Sequence, residues 1–153
     1  MEAEKRLAAL GIELPPIPKP TQNFVQWVRA DRFLYLAGAV PRYKDEYRYP
    51  GKVGTEVSLD DAYQAARLCT INHLAMAKDA LGDLDRVERV VQLVGYVNAA
   101  PGFMDMPKVV NGASDLWIEI YGERGRHVRV ALGVAEIARK IPVETMVTLL
   151  VSE

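Results

Sequence analysis

Half of the 153 residues are hydrophobic and a quarter are charged, with 19 basic against 20 acidic side chains for a net charge of −1. A chain of that length suits one domain with a core large enough to need no staples, and its charge balance excludes a general electrostatic pull toward nucleic acid or an anionic membrane. Cys69 is the only cysteine and the two histidines lie far apart, which excludes an intrachain disulfide and offers no metal-ligand spacing.

The first residues, Met1 to Arg6, lack the apolar core of a secretion signal. No apolar run approaches the roughly 20 residues needed to span a bilayer, so a cytoplasmic protein is expected, with neither membrane nor nucleic acid as a partner. Residues 2–10 read as a short helix, followed by an extended connector, Pro15-Pro16-Ile17-Pro18-Lys19-Pro20. The connector is too short to divide the chain, so residues 1–153 are expected to form a single domain, with 1–20 as its leading helix and proline-rich segment. Phe24–Arg29 and Phe33–Ala39 read as strands joined by the turn Ala30-Asp31-Arg32, and Pro41–Gly54 as a polar, tyrosine-rich loop or short edge strand.

Ser58 opens a strong helix. Ser58-Leu59-Asp60-Asp61 has the form of a capping box and Gly82 suits the C-terminal cap, with Ala65, Leu68, Cys69, Asn72 and Met76 on one face between them. Val87–Val97, β-branched and mostly apolar, reads as a strand covered by a helix. After the break at Pro101-Gly102, Pro107 sits in the first turn of a second helix, whose apolar positions run from Val109 through Ala113, Leu116, Trp117 and Ile120 to Tyr121. Gly122 and Gly125 end it. Two strands close the chain, Val128–Val134 and Val143–Val151. The order ββ-α-β-α-ββ predicts an α+β sandwich with two helices on one face of a sheet.

Alternation along Val128–Val134 puts Arg129, Ala131 and Gly133 on one face and the branched residues on the other. Arg129 is thus a permanent charge beside very small neighbours, with room for a ligand next to a planar fork that matches a carboxylate. Glu144 is the parallel anomaly, a carboxylate inside the apolar run Ile141–Val151. Two readings stand open here. Arg129 and Glu144 either pair with each other or sit on a solvated face, or Arg129 holds an acid while Glu144 orients or deprotonates a water. His127 shares the face of Arg129 but lies near the strand end and reads as exposed; His73 reads as a packed or surface residue of its helix.

Arg129-Val130-Ala131-Leu132-Gly133-Val134-Ala135-Glu136 resembles the C-terminal signature of the RidA/YjgF family. Glu144 stands at the spacing of that family's carboxylate, and Asn111 resembles the asparagine of its second helix. Phe24-Val25-Gln26 and Ala37-Gly38-Ala39-Val40-Pro41 resemble its two N-terminal motifs at the same separation, so that the likeness covers residues 20–152. The resemblance implies a chorismate-mutase-like fold and a homotrimer with its sites at subunit interfaces. It implies a cofactor-independent deaminase that hydrolyses 2-imino or enamine acids to 2-oxo acids and ammonia. Glu144 would be the catalytic, water-positioning acid. Arg129, Asn111, Phe24, Gly38 and Ala131 would line the substrate, with no metal. Phe24 stands where the family usually has tyrosine, Ala37 and Ala39 replace serine and glutamine, Ala131 replaces a frequent cysteine, and Ile137-Ala138 replaces a common Leu-Pro. These departures, with the extra N-terminal helix, suggest a longer-chain branch and a less polar substrate. A non-enzymatic trimer that binds a carboxylate metabolite or shields apolar protein surface is the alternative. A ribonuclease is disfavoured by the missing basic stripe.

Overall fold

A computed structural model describes residues 1–153. Five strands form one mixed sheet: β1 (Trp27–Ala30), β2 (Phe33–Ala39), β5 (Val87–Asn98), β6 (Val128–Val134) and β7 (Val143–Val151), in the order β1-β2-β7-β5-β6. Only the β5–β6 pairing is parallel. A two-stranded hairpin, β3 (Arg42–Tyr43) and β4 (Glu46–Tyr47), follows β2 within the stretch expected to be a loop or short edge strand. Helices α2 (Leu59–Leu81) and α3 (Met106–Tyr121) cover one sheet face, as expected of a chorismate-mutase-like α+β fold. Both ends of α2 form as the sequence requires. The Ser58 hydroxyl accepts the Asp61 amide at 3.1 Å, and Gly82 closes the helix at φ 74°.

The leading helix α1 (Glu2–Ala9) is a third packed helix. Ala3 and Leu7, one turn apart, enter the core. Its free amides at Glu2 and Ala3 donate to the Asp85 carboxylate at 2.6 and 2.8 Å, and Arg6 donates to the Ile120 carbonyl at the end of α3 at 2.7 Å. Those amide bonds, first that of Ala3, hold the Asp85 pKa below its ordinary value.

Two departures from the expected strands share one cause, the β-bulge. Pairing of β2 with β7 shifts register between Leu36 and Ala39, and the last β1–β2 pair is Trp27 with Leu36. One further bond, from the Ala37 amide to the Gln26 carbonyl at 2.8 Å, follows before the backbone departs, and Phe24 lies outside β1, exposed rather than in the predicted strand. In β5, register shifts after Val87 and Val90 space the buried residues by three (Val87, Val90, Leu93) before alternation resumes at Gly95 and Val97.

The face away from the helices is open and apolar. Val128, Val130, Leu132, Met146, Val28 and Tyr35 are all exposed there, in rows set by register such as Val130–Val94–Met146. No helix is long and apolar enough to cross a membrane. On the covered face, α2 and α3 approach so closely that a Cβ at Gly112 would lie 2.0 Å from the Tyr63 carbonyl oxygen. Gly112→Ala should therefore push the helices apart at a cost of about 1–3 kcal/mol, lowering Tm by roughly 3–10 °C. An unchanged melting temperature would contradict this packing.

Candidate functional site

The predicted site residues fall into two groups that one chain keeps apart. The first gathers around Arg129 on the edge strand β6. Its cross-strand neighbours, Leu93 and then Val147, are buried under the helices, so its side chain points toward α3. There Nη1 donates to the Ser114 hydroxyl at 3.0 Å and Nη2 to the Pro107 carbonyl at 3.1 Å. Asn111, four residues after Pro107 and three before Ser114, shares that helix stripe and is exposed. Ala131 follows Arg129 on the same strand face and packs partly against the core.

His127 was expected to be merely exposed, yet it is half-buried and belongs to this group. Its Nδ1 can only donate to the Gly125 carbonyl, at 2.7 Å, so Nε2 of the neutral ring accepts from the Ser114 hydroxyl at 2.9 Å. Burial, aided by the Arg129 charge, holds the His127 pKa below the ordinary histidine value. Ser114 thus accepts from Arg129 and donates to His127, which fixes the guanidinium plane. Burial also lowers the Arg129 pKa, against the pull of Asp115, but a guanidinium remains charged at any working pH. Asp115 itself is engaged by the Tyr63 hydroxyl at 2.6 Å, and Arg129 has no ion pair within the chain.

The second group surrounds Glu144. Its cross-strand neighbours Tyr96 and Leu132 belong to the open face, opposite that of Arg129. The carboxylate lies over the β2 bulge, where a Cβ at Gly38 would be 2.5 Å from Oε1. Gly38 is needed there because the acid occupies the space of a side chain. Glu144 has no hydrogen bond and no ion pair within the chain, and burial alone raises its pKa. The sequence-level possibility of an Arg129–Glu144 bridge inside one chain is therefore excluded: the two side chains leave the sheet on opposite faces, and β5 lies between their strands.

Beside Glu144 opens a cavity of about 740 Å³, walled by the proline connector, Phe24, Asn72 and Met76 of α2, and the β3–β4 hairpin. Gln26 fastens the connector by donating to the Pro18 carbonyl at 2.9 Å. Asn72 donates to the carbonyls of Val40 and Arg42, fixing the chain after β2. His73 is fully buried, donates through Nε2 to the Ala37 carbonyl at 2.9 Å and stays neutral, its pKa pushed down to about 4 by burial. Sequence reading missed Ser114, Asn72 and Arg139 at these sites. Helical spacing from Asn111 marks Ser114, whereas nothing local marks Arg139.

Residues 4–149 match the family described as "YjgF/chorismate_mutase-like, putative endoribonuclease". Protein TCP17 of Trypanosoma cruzi is 39% identical over 132 residues, 86% of this chain and 82% of its own. Atu1372 of Agrobacterium tumefaciens, a protein of unknown function, is 36% identical with a TM-score of 0.91, covering 98% of this chain and 92% of its own. A Shewanella oneidensis protein described as a "putative endoribonuclease" is 30% identical with a TM-score of 0.95, covering 99% and 100%. The chain belongs to the YjgF/RidA family.

The Glu144 pKa carries a stability consequence. A carboxyl whose pKa rises on folding binds its proton more tightly in the folded state, so stability present at low pH is lost as pH climbs through the raised value. Glu144→Gln mimics the protonated form and should melt at or above wild type at about pH 7–8, the difference vanishing near about pH 4. A lower melting temperature at neutral pH would mean that the carboxylate is a structural partner instead.

Proposed function

We propose that the protein hydrolyses a 2-imino or enamine carboxylic acid to the 2-oxo acid and ammonia, at sites shared between the chains of a homotrimer. The observation that carries this reading is the separation of Arg129 from Glu144. Neither forms an ion pair within its own chain, each meets solvent, and the two leave the sheet on opposite faces. Only a second chain can bring such groups to one small substrate. β6 is an edge strand with an unpaired hydrogen-bonding side, and the open face beside it is apolar, both features that association covers.

In this scheme Arg129, held in plane by Ser114, receives the substrate carboxylate through two parallel N–H bonds. Asn111 and Ala131 flank it. Glu144 of the neighbouring chain, its basicity raised by burial, takes a proton from water as the water oxygen bonds to the imine carbon. The resulting carbinolamine collapses to the carbonyl, and the proton passes to the departing nitrogen as ammonia. No cofactor enters the balance. Gly38 keeps the backbone clear of the acid, and Phe24 closes the wall without supplying a hydroxyl.

The word endoribonuclease in the family description finds less support. The 19 basic side chains are balanced by 20 acidic ones, and several are matched by neighbouring acids, as in Arg6–Glu2, Arg32–Glu88, Arg67–Glu119 and Arg126–Glu123, which argues against a strongly basic surface that follows phosphates.

Arg129→Ala removes a charge-assisted bidentate contact worth roughly 2–3 kcal/mol. kcat/KM for imines generated in situ by an amino-acid oxidase should fall about 30- to 100-fold. The melting temperature should stay near that of wild type, measured on the trimer of 17.0 kDa chains. Unchanged kcat/KM in the folded variant would end the anchor role.

A further inference from the structure

The cavity beside Glu144 is larger than a three-carbon imino acid requires and falls within the usual range for small-ligand pockets. Its charge distribution is also unlike the apolar pocket that Ala37 and Ala39 suggested. Lys19, Arg42, Lys44 and Arg139 line it, against the acids Asp45 and Glu144. Arg42 is neutralised by its ion pair with Asp45. Arg139 has neither an ion pair nor a side-chain hydrogen bond within the chain, so all its donors are free. Its guanidinium carbon stands 5.1 Å from the centre of the Tyr47 ring, and that of Arg42 stands 5.6 Å from the same ring. Arg42 on that ring is already joined to Asp45, so Arg139 is the cation there that has no acid of its own.

The backbone places Arg139 there at a conformational cost. Arg139 and Lys140 are successive non-glycine residues at φ 63° and 55°, in the left-handed region that L side chains avoid. The turn is tied down where the Lys140 carbonyl accepts the Gly51 amide at 2.7 Å. The hairpin that carries Tyr47 turns through two more such residues, Lys44 and Asp45, at φ 48° and 69°. Two tight turns therefore present Arg139, Lys44 and the Tyr47 ring to the cavity that holds Glu144.

We infer that this cavity receives a second anionic group of the substrate, and that Arg139 is its principal contact. The substrate class is then a dicarboxylic 2-imino acid, whose distal carboxylate lies in the cavity while its first carboxylate meets Arg129 of the adjoining chain. This rests on the shared site proposed above. Ala39, small and in the cavity wall, leaves room for the longer acid. Without Arg139 and Lys44, Glu144 would repel a distal carboxylate; with them, the unpaired cations outnumber the unpaired acid.

The test is calorimetric titration with two product analogues, 2-oxobutanoate and 2-oxoglutarate, against wild type and Arg139→Gln. Wild type should bind the dicarboxylate about tenfold or more tightly than the monocarboxylate, as a charge-assisted contact implies. Arg139→Gln should reduce that advantage to about threefold or less while leaving 2-oxobutanoate affinity unchanged. Arg139→Lys should keep part of it, since the charge remains and the planar fork is lost. Equal affinities in wild type, or a dicarboxylate preference that survives Arg139→Gln, would overturn the inference. Imine turnover is followed in parallel. Turnover without dicarboxylate preference refutes the second contact alone, and an Arg139-dependent preference without turnover refutes the hydrolysis alone.

Discussion

The two-residue repeat of a β-strand and the order of strands in one sheet decide what a single chain can do. Arg129 shares a sheet face with Leu93 and Val147, and Glu144 shares the other with Tyr96 and Leu132. No rotamer change carries a side chain through a hydrogen-bonded sheet, so the separation of these two charges is built into register rather than into side-chain choice. Each charge is then stabilised locally and incompletely. Arg129 has two neutral acceptors and no ion pair, and Glu144 has neither a hydrogen bond nor an ion pair.

Packing on the helix side sets the first of these groups. The backbone contact at Gly112 fixes the depth at which α3 lies on α2, and through it the position of Ser114 and Pro107 beneath the β6 edge. Bulging in the sheet sets the second. The irregularity between Leu36 and Ala39 releases Phe24 from β1, turns Gly38 toward Glu144 and exposes the Ala37 carbonyl to the buried ring of His73. Both arrangements depend on strand register and helix packing far more than on the polar residues themselves.

Much of this could be read from the residues. β2, β6 and β7 begin and end where alternation and turn residues indicate, and both caps of α2 follow from Ser58 and Gly82. Alternation separated Arg129 from Val128 and Val130, but it could not say which face the helices cover. The branched residues proved to be on the open one. The start of β1 was misplaced because a bulge on the neighbouring strand, invisible in local sequence, ends the pairing. His127 was undervalued for a similar reason, since its partner Ser114 lies thirteen residues away on a helix. Arg139 was passed over because its role depends on a left-handed turn at two ordinary side chains, where no glycine or asparagine advertises it.

The central claim is that Arg129 and Glu144 of different chains form one site. Mixed trimers test it most directly. Arg129→Ala and Glu144→Gln are each prepared, shown to be strongly impaired alone, then unfolded, combined in equal amounts and refolded together. If the site is shared, roughly a quarter of the interfaces pair an intact Arg129 with an intact Glu144 from the neighbouring chain, and imine hydrolysis returns to about that fraction of wild type. If both residues serve a site within their own chain, every site in the mixture remains defective. Co-assembled trimers with no recovered activity would contradict the account.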